Sequence, residues 1–80
     1  MLEELKTAKK LVGTRRVLRA VREGKVAKAF VGDDADLFIL RELRAACEAT
    51  GTRLVKADSM KLLGEACGVD VPTASAAILY

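Results

Sequence analysis

Four short apolar runs alternate with stretches of helical spacing, and this alternation constrains the 80-residue chain more than any other feature. Leu2, Leu5 and Ala8 recur at helical spacing, so the first ten residues read as a short amphipathic helix. Lys10-Leu11-Val12-Gly13 reads as a short strand. Thr14 then stands at an N-cap position before a run of good helix formers. Val17, Leu18 and Val21 fall on one face of that helix, Arg15, Arg19 and Arg22 on another, and Gly24 closes it. Ala27 to Gly32 reads as a buried strand. A third helix is expected over Leu37 to Thr50, with Leu37, Leu40, Leu43 and Cys47 as its apolar stripe and Gly51 as its stop. Thr52 to Ala57 is a third strand. Asp58 or Ser59 caps a helix containing Met60, Leu63 and Ala66, ended by Gly68. Val69-Asp70-Val71-Pro72 is a loop, and Ser75 to Tyr80 is the last strand. Strict alternation of this kind predicts helices packed on both faces of one central sheet. Eighty residues suffice for one domain and not two.

The core of such a fold must be aliphatic, because hydrophobic residues make up 51% of the chain and aromatics only 4%. No apolar run approaches the roughly 20 residues of a spanning helix, and no membrane association is expected. The start, Met1 to Lys6, mixes acids and bases without an apolar signal core, so a cytoplasmic location is expected. Cys47 and Cys67 form no CxxC pair and the chain has no His, which argues against zinc; they read as small buried thiols. Asp33, Asp34 and Asp36 carry the oxygen ligands that suit Mg²⁺. The plainer reading is that they cap the following helix, where acid complements the dipole. Ser59 has no His to activate it as a nucleophile. Without a convergent set of His, Cys and carboxylates, the chain is not expected to be an enzyme, and neither metal nor cofactor is expected.

Charge is more informative than its total of +3. Residues 1–28 hold nine basic and three acidic residues, +6, which leaves −3 for residues 29–80. A basic end on a mildly acidic body is the outline of a polyanion binder. A solvated basic face that aids solubility is the bland alternative.

Several segments in order resemble the kink-turn-binding ribosomal protein family of L7Ae and L30e, the short bacterial members above all. They are the Gly13-Thr14 helix start, Ala29-Phe30-Val31-Gly32-Asp33-Asp34-Ala35-Asp36, the stretch from Asp58 to Gly68, and Val69 to Ile78. The resemblance runs from Leu2 to Leu79. It implies an α/β fold, a three-layer α/β/α sandwich with a central four-stranded mixed sheet. It implies one kink-turn RNA-binding domain over residues 1–80. Its partner would be structured RNA, a duplex bent at a bulge beside tandem sheared G·A pairs, with ribosomal RNA among the candidates. In the family the helix after the Gly-Thr step enters the groove, and the loop before the last strand covers the bulged nucleotides. Carried over, the RNA-binding residues are Gly13, Thr14, Arg15, Arg16, Arg19 and Arg22, with Val69, Asp70, Val71 and Pro72.

The residues support this reading on their own chemistry. A helix N-terminus offers free N–H groups and a positive dipole end. Arg presents a bidentate fork to phosphate and to guanine O6 and N7. Val69, Val71 and Pro72 offer an apolar cap for a splayed base. One departure matters. Archaeal and eukaryotic relatives commonly carry Asn-Glu after the Gly-x step, bacterial ones often Lys-Gln, and this chain has Arg15-Arg16. Arg supplies donors only, so phosphate affinity is a firmer expectation than discrimination of the G·A pairs. The competing expectation is a protein-interaction or non-specific RNA-binding module of the same fold. A monomer is expected on either view.

Overall fold

The computed structural model describes residues 2–7 and 9–80, with four helices and four strands among them. In chain order these are α1 (Glu4–Thr7), β1 (Lys10–Val12), α2 (Thr14–Arg22), β2 (Val26–Gly32), α3 (Leu37–Thr50), β3 (Arg53–Ala57), α4 (Met60–Cys67) and β4 (Ser75–Leu79). The strands form one mixed sheet in the order β1-β4-β2-β3. β4 runs antiparallel to both its neighbours, and β2 pairs with β3 in parallel. The expected α/β sandwich around a four-stranded mixed sheet is therefore the observed architecture.

Period-two alternation in the strands divides the core into two layers. Ala29, Val31 and Ala77 point to one face, where α2 and α3 lay Val17, Val21, Leu43 and Cys47 against them. Phe30 and Ala76 point to the other, against Leu5 of α1 and Leu63 and Cys67 of α4. Phe30 is the one aromatic side chain wholly removed from solvent, worth about 1.5–3 kcal/mol of burial. The register slips between Val26 and Lys28, so these two residues face opposite sides. Lys28 thereby reaches α1, and its Nζ donates to both Glu4 carboxylate oxygens at 2.8 and 2.9 Å. One cation of the basic end is thus spent on tying a helix to the sheet. No helix among the described residues is long and apolar enough to cross a membrane.

The structure moves some sequence expectations. The first helix is four residues rather than ten, and Ala8 of its expected stripe lies outside the described residues. Thr52 and Tyr80 fall just outside their strands. Leu37 is not part of the α3 core stripe. It is 60% exposed at the first position of the helix, on the rim of a hollow it shares with Val31 and Leu54 of the sheet.

Candidate nucleic-acid interface

Strand direction gathers the chain's connections at one end of the sheet. Because β4 opposes the other three, β1, β2 and β3 all end on the same side. Val12, Ala76, Phe30 and Val55 form a row across the sheet near that end. Beyond it start α2, α3 and α4, and the 68–74 loop enters β4. Ligands of open α/β sheets bind at such carboxyl ends, where helix N-termini and loops converge.

The three helix starts differ. At α3, the Asp36 carboxylate accepts from the Phe38 N–H at 2.8 Å. At α4, the Ser59 hydroxyl accepts from Leu62 N–H at 3.1 Å, and Asp34 accepts from Met60 N–H at 2.7 Å. Asp34 therefore caps the second helix after it, not the next one. Asp33 lies 3.8 Å from Lys56 across an exposed pair. Among the described residues no group of three His, Cys, Asp or Glu side chains is placed to hold a metal ion. At α2, the cap is Gly13, with φ 111° and no side chain to offer. Only glycine takes that backbone conformation without strain. The first helical bond runs from Val17 N–H to Gly13 O, so the N–H groups of residues 14–16 find no acceptor among the described residues.

Thr14 is accordingly not the N-cap. It is the first helical residue, and its hydroxyl lies 2.8 Å from that of Ser75, whose side chain is wholly buried. Ser75 needs that partner, since an unpaired buried hydroxyl costs about 1–3 kcal/mol. Ser75 O also accepts from Gly13 N–H at 3.1 Å. The start of α2 is thus fastened to the first residue of β4, where the 68–74 loop ends.

Arg15 and Arg16 project from the first turn of α2 into solvent, and no acid accompanies them there. Arg19 and Arg22 continue the exposed side toward the helix C-terminus. Arg19 lies 3.6 Å from Glu23, which also meets Lys25 at 3.2 Å. Lys25 first, then Arg19, holds the Glu23 carboxyl below the ordinary carboxylate range. Both pairs are exposed, and such pairs hold their partners weakly. Arg15, Arg16 and Arg22 have no ion-pair partner among the described residues.

The 68–74 loop is fixed from below. Gly68 turns it in the left-handed conformation, and Val69 N–H donates to Gly64 O at 3.0 Å. Thr73 N–H donates to Met60 O at 3.0 Å. Gly64 sits in the middle of α4, and a methyl group there would run into the Val71 carbonyl oxygen. The helix can carry the loop this closely only because residue 64 has no side chain. The two valines then part company: Val69 packs against the Phe30 and Leu63 layer, whereas Val71 is 65% exposed. Asp70 and Pro72 are exposed beside it. Of the ten residues singled out in the sequence, Gly13 and Thr14 bond to Ser75 at the end of the 68–74 loop, and Arg15 and Arg16 follow them exposed. Arg19 and Arg22 lead away down α2, and Val69 is half-buried against the α4 layer. Gly64 and Ser75, which set the geometry, were not among them. Cys47 and Cys67 are buried in the two core layers, and burial pushes both thiols up, away from the reactive thiolate.

Similarity to known proteins converges on this architecture. A protein called RNA-binding protein from Geobacillus thermodenitrificans is 43% identical over 75 residues, covering 94% of this chain and 92% of its own. Another so named, from Caldanaerobacter subterraneus, is 41% identical over 69 residues, covering 86% of this chain and 84% of its own. Among solved structures, the Giardia lamblia 15.5kD RNA binding protein superposes with a TM-score of 0.90 at 34% identity, over 99% of this chain and 70% of that one. A Bacillus halodurans protein of unknown function shares the fold, with a TM-score of 0.90 at 22% identity over 99% of this chain and 83% of its own. The sequence pattern of the ribosomal protein L7Ae/L30e/S12e/Gadd45 family matches residues 1–80, and the chain belongs to that family.

Proposed function

We propose that residues 1–80 act as one RNA-binding domain that grips a kink-turn, with α2 holding the backbone and the Val71 loop covering an unstacked base. The observation that supports this reading is the Ser75 junction, where Gly13 and Thr14 at the open start of α2 bond to the residue that follows the loop bearing exposed Val71. The names of the similar proteins favour RNA as the ligand. The chemistry is binding and not catalysis: residues 14–16 offer N–H donors, Arg15 and Arg16 offer guanidinium forks, and Val71 offers an apolar surface. Association with ribosomal RNA in the cytoplasm, as a monomer, is part of the proposal.

A gel shift of a kink-turn RNA against a straight duplex of equal length tests it. Preferential binding of the bent RNA is expected, and equal affinities would sink the claim of shape recognition. Arg15-Arg16 favours one second reading. A donor-only pair suits phosphates on any RNA, so a non-specific binder of the same fold would bind both RNAs alike and steeply with salt.

A further inference from the structure

A second surface lies at the far edge of the sheet from β1, and the proposed RNA contacts leave it unused. β3 is an edge strand, with one side paired to β2 and no other strand on its outer side among the described residues. Beside it, the first turns of α3 overhang a hollow of about 200 Å³. Leu37, Leu40 and Leu54 line it with aliphatic surface, and Arg41, Arg44 and Lys56 stand around it. None of its lining residues is acidic. The hollow continues along β3 as a more open groove toward Gly51, sharing Arg44, Leu54 and Lys56 and adding Arg53 and one acid, Glu48. Arg41 and Arg44 have no ion-pair partner among the described residues, and Lys56 has only the exposed Asp33 at 3.8 Å.

We propose that this groove receives an extended acidic segment of a partner protein, added to β3 as a fifth strand, with aliphatic side chains in the Leu37–Leu54 hollow and carboxylates between Arg44 and Lys56. The hollow has room for a side chain or two, and the open groove that continues it along the strand edge suits an extended chain. Strand addition fits a free edge with side-chain pockets beside it, because main-chain bonds supply affinity and alternate side chains supply selectivity. Charge complementarity sets the sign of the partner. RNA fits less well, since no aromatic ring lines the hollow for a base to stack on. A second copy fits less well too. Pairing β3 with β3 would bring Arg53 and Lys56 of both copies together, and like charges across a strand pair are destabilising.

Terminally blocked, fluorescein-labelled hexapeptides test this on the intact chain. One is Glu-Thr-Leu-Thr-Glu-Thr, which puts its leucine and both carboxylates on one face of a strand, and another is its Lys-for-Glu counterpart. Fluorescence anisotropy should show binding of the acidic peptide alone, with NMR amide shifts confined to β3 and the first half of α3. Arg44→Glu combined with Lys56→Glu should weaken it at least about tenfold. Leu37→Asp, at an exposed position that leaves the core intact, should do likewise if the double variant does not fold. Both variants should keep the affinity of the unmodified chain for kink-turn RNA. Absence of peptide binding overturns the proposal. So does equal binding of both peptides, or loss of RNA affinity in these variants, which would assign the groove to RNA. A concentration-dependent dimer in sedimentation that Leu37→Asp dissolves would give the groove to a second copy and overturn it as well.

Discussion

The starts of α2 and α3 sit at the same end of one sheet, pack on the same face, and are built in opposite ways. α3 begins at Asp36, whose carboxylate takes up a free N–H and places negative charge at the positive end of the helix. α2 begins at a glycine that takes up nothing, and its first turn carries Arg15 and Arg16. Cations there oppose the macrodipole, at about 0.3–1 kcal/mol each. The α3 start is arranged for stability and is satisfied by the protein itself. The α2 start gives up stability and leaves its first N–H groups open to water or to an anion with hydrogen-bond acceptors. On the proposed reading, RNA phosphate is that anion.

Reversing the charge at the open start tests that contrast most severely. Arg15→Glu with Arg16→Glu should stabilise the protein, by about 1 kcal/mol in thermal or urea unfolding. The same variant should lose RNA affinity for bent and straight forms alike. Two lost phosphate contacts alone correspond to about 200-fold at 50 mM salt and about 20-fold at 200 mM, and the log–log salt slope should fall by about 1.8. If stability falls, or the slope is unchanged, the start of α2 is not an anion site.

The Val71 loop should respond differently, because the proposal gives it recognition of shape and it holds no cation. Gly64→Ala forces a methyl group against the Val71 carbonyl oxygen, an overpacking cost of about 1–3 kcal/mol in unfolding free energy. The displaced loop should then lose its preference for the kink-turn while straight-duplex binding persists. Val71→Asp is gentler, since that side chain is already exposed. It should cost about tenfold, near 1.4 kcal/mol, on the kink-turn and little on the duplex. Equal losses on both RNAs would mean the loop reads no shape.

These positions also show what the sequence could and could not convey. Alternating periods reveal the element order and the layered sheet, because side-chain burial imposes them locally. Asp36, Ser59, Gly51 and Gly68 act where local rules put them. Thr14 obeys the local capping rule in sequence and breaks it in space, because buried Ser75, 61 residues away, takes its hydroxyl. Leu37 fits a helical stripe but lies at the first position of α3, on the rim of an open hollow beside β3. Nothing in Val69-Asp70-Val71 says which valine turns inward, since that depends on how Gly64 lets the loop lie on α4. A glycine inside a helical pattern was the available signal, as it costs about 1 kcal/mol against Ala and so implies a packing reason.

The smallest effect concerns the finished start, and it is the mirror image of the largest. Asp36→Ala removes the side-chain acceptor for Phe38 N–H and the favourable charge at the α3 terminus. A lost cap of this kind costs about 1 kcal/mol, within a range of about 0.5–2. In a domain of this size that lowers Tm by about 4–8 °C. RNA affinity and its salt slope should stay as they are, because Asp36 faces its own helix and contributes no cation. The two variants together form the decisive pair: one start gains stability and loses RNA, the other loses stability and keeps RNA. Should Asp36→Ala strengthen RNA binding instead, its freed N–H groups would be serving as a second anion site. The contrast between the two starts would then be one of degree, set by how much each helix end is already satisfied.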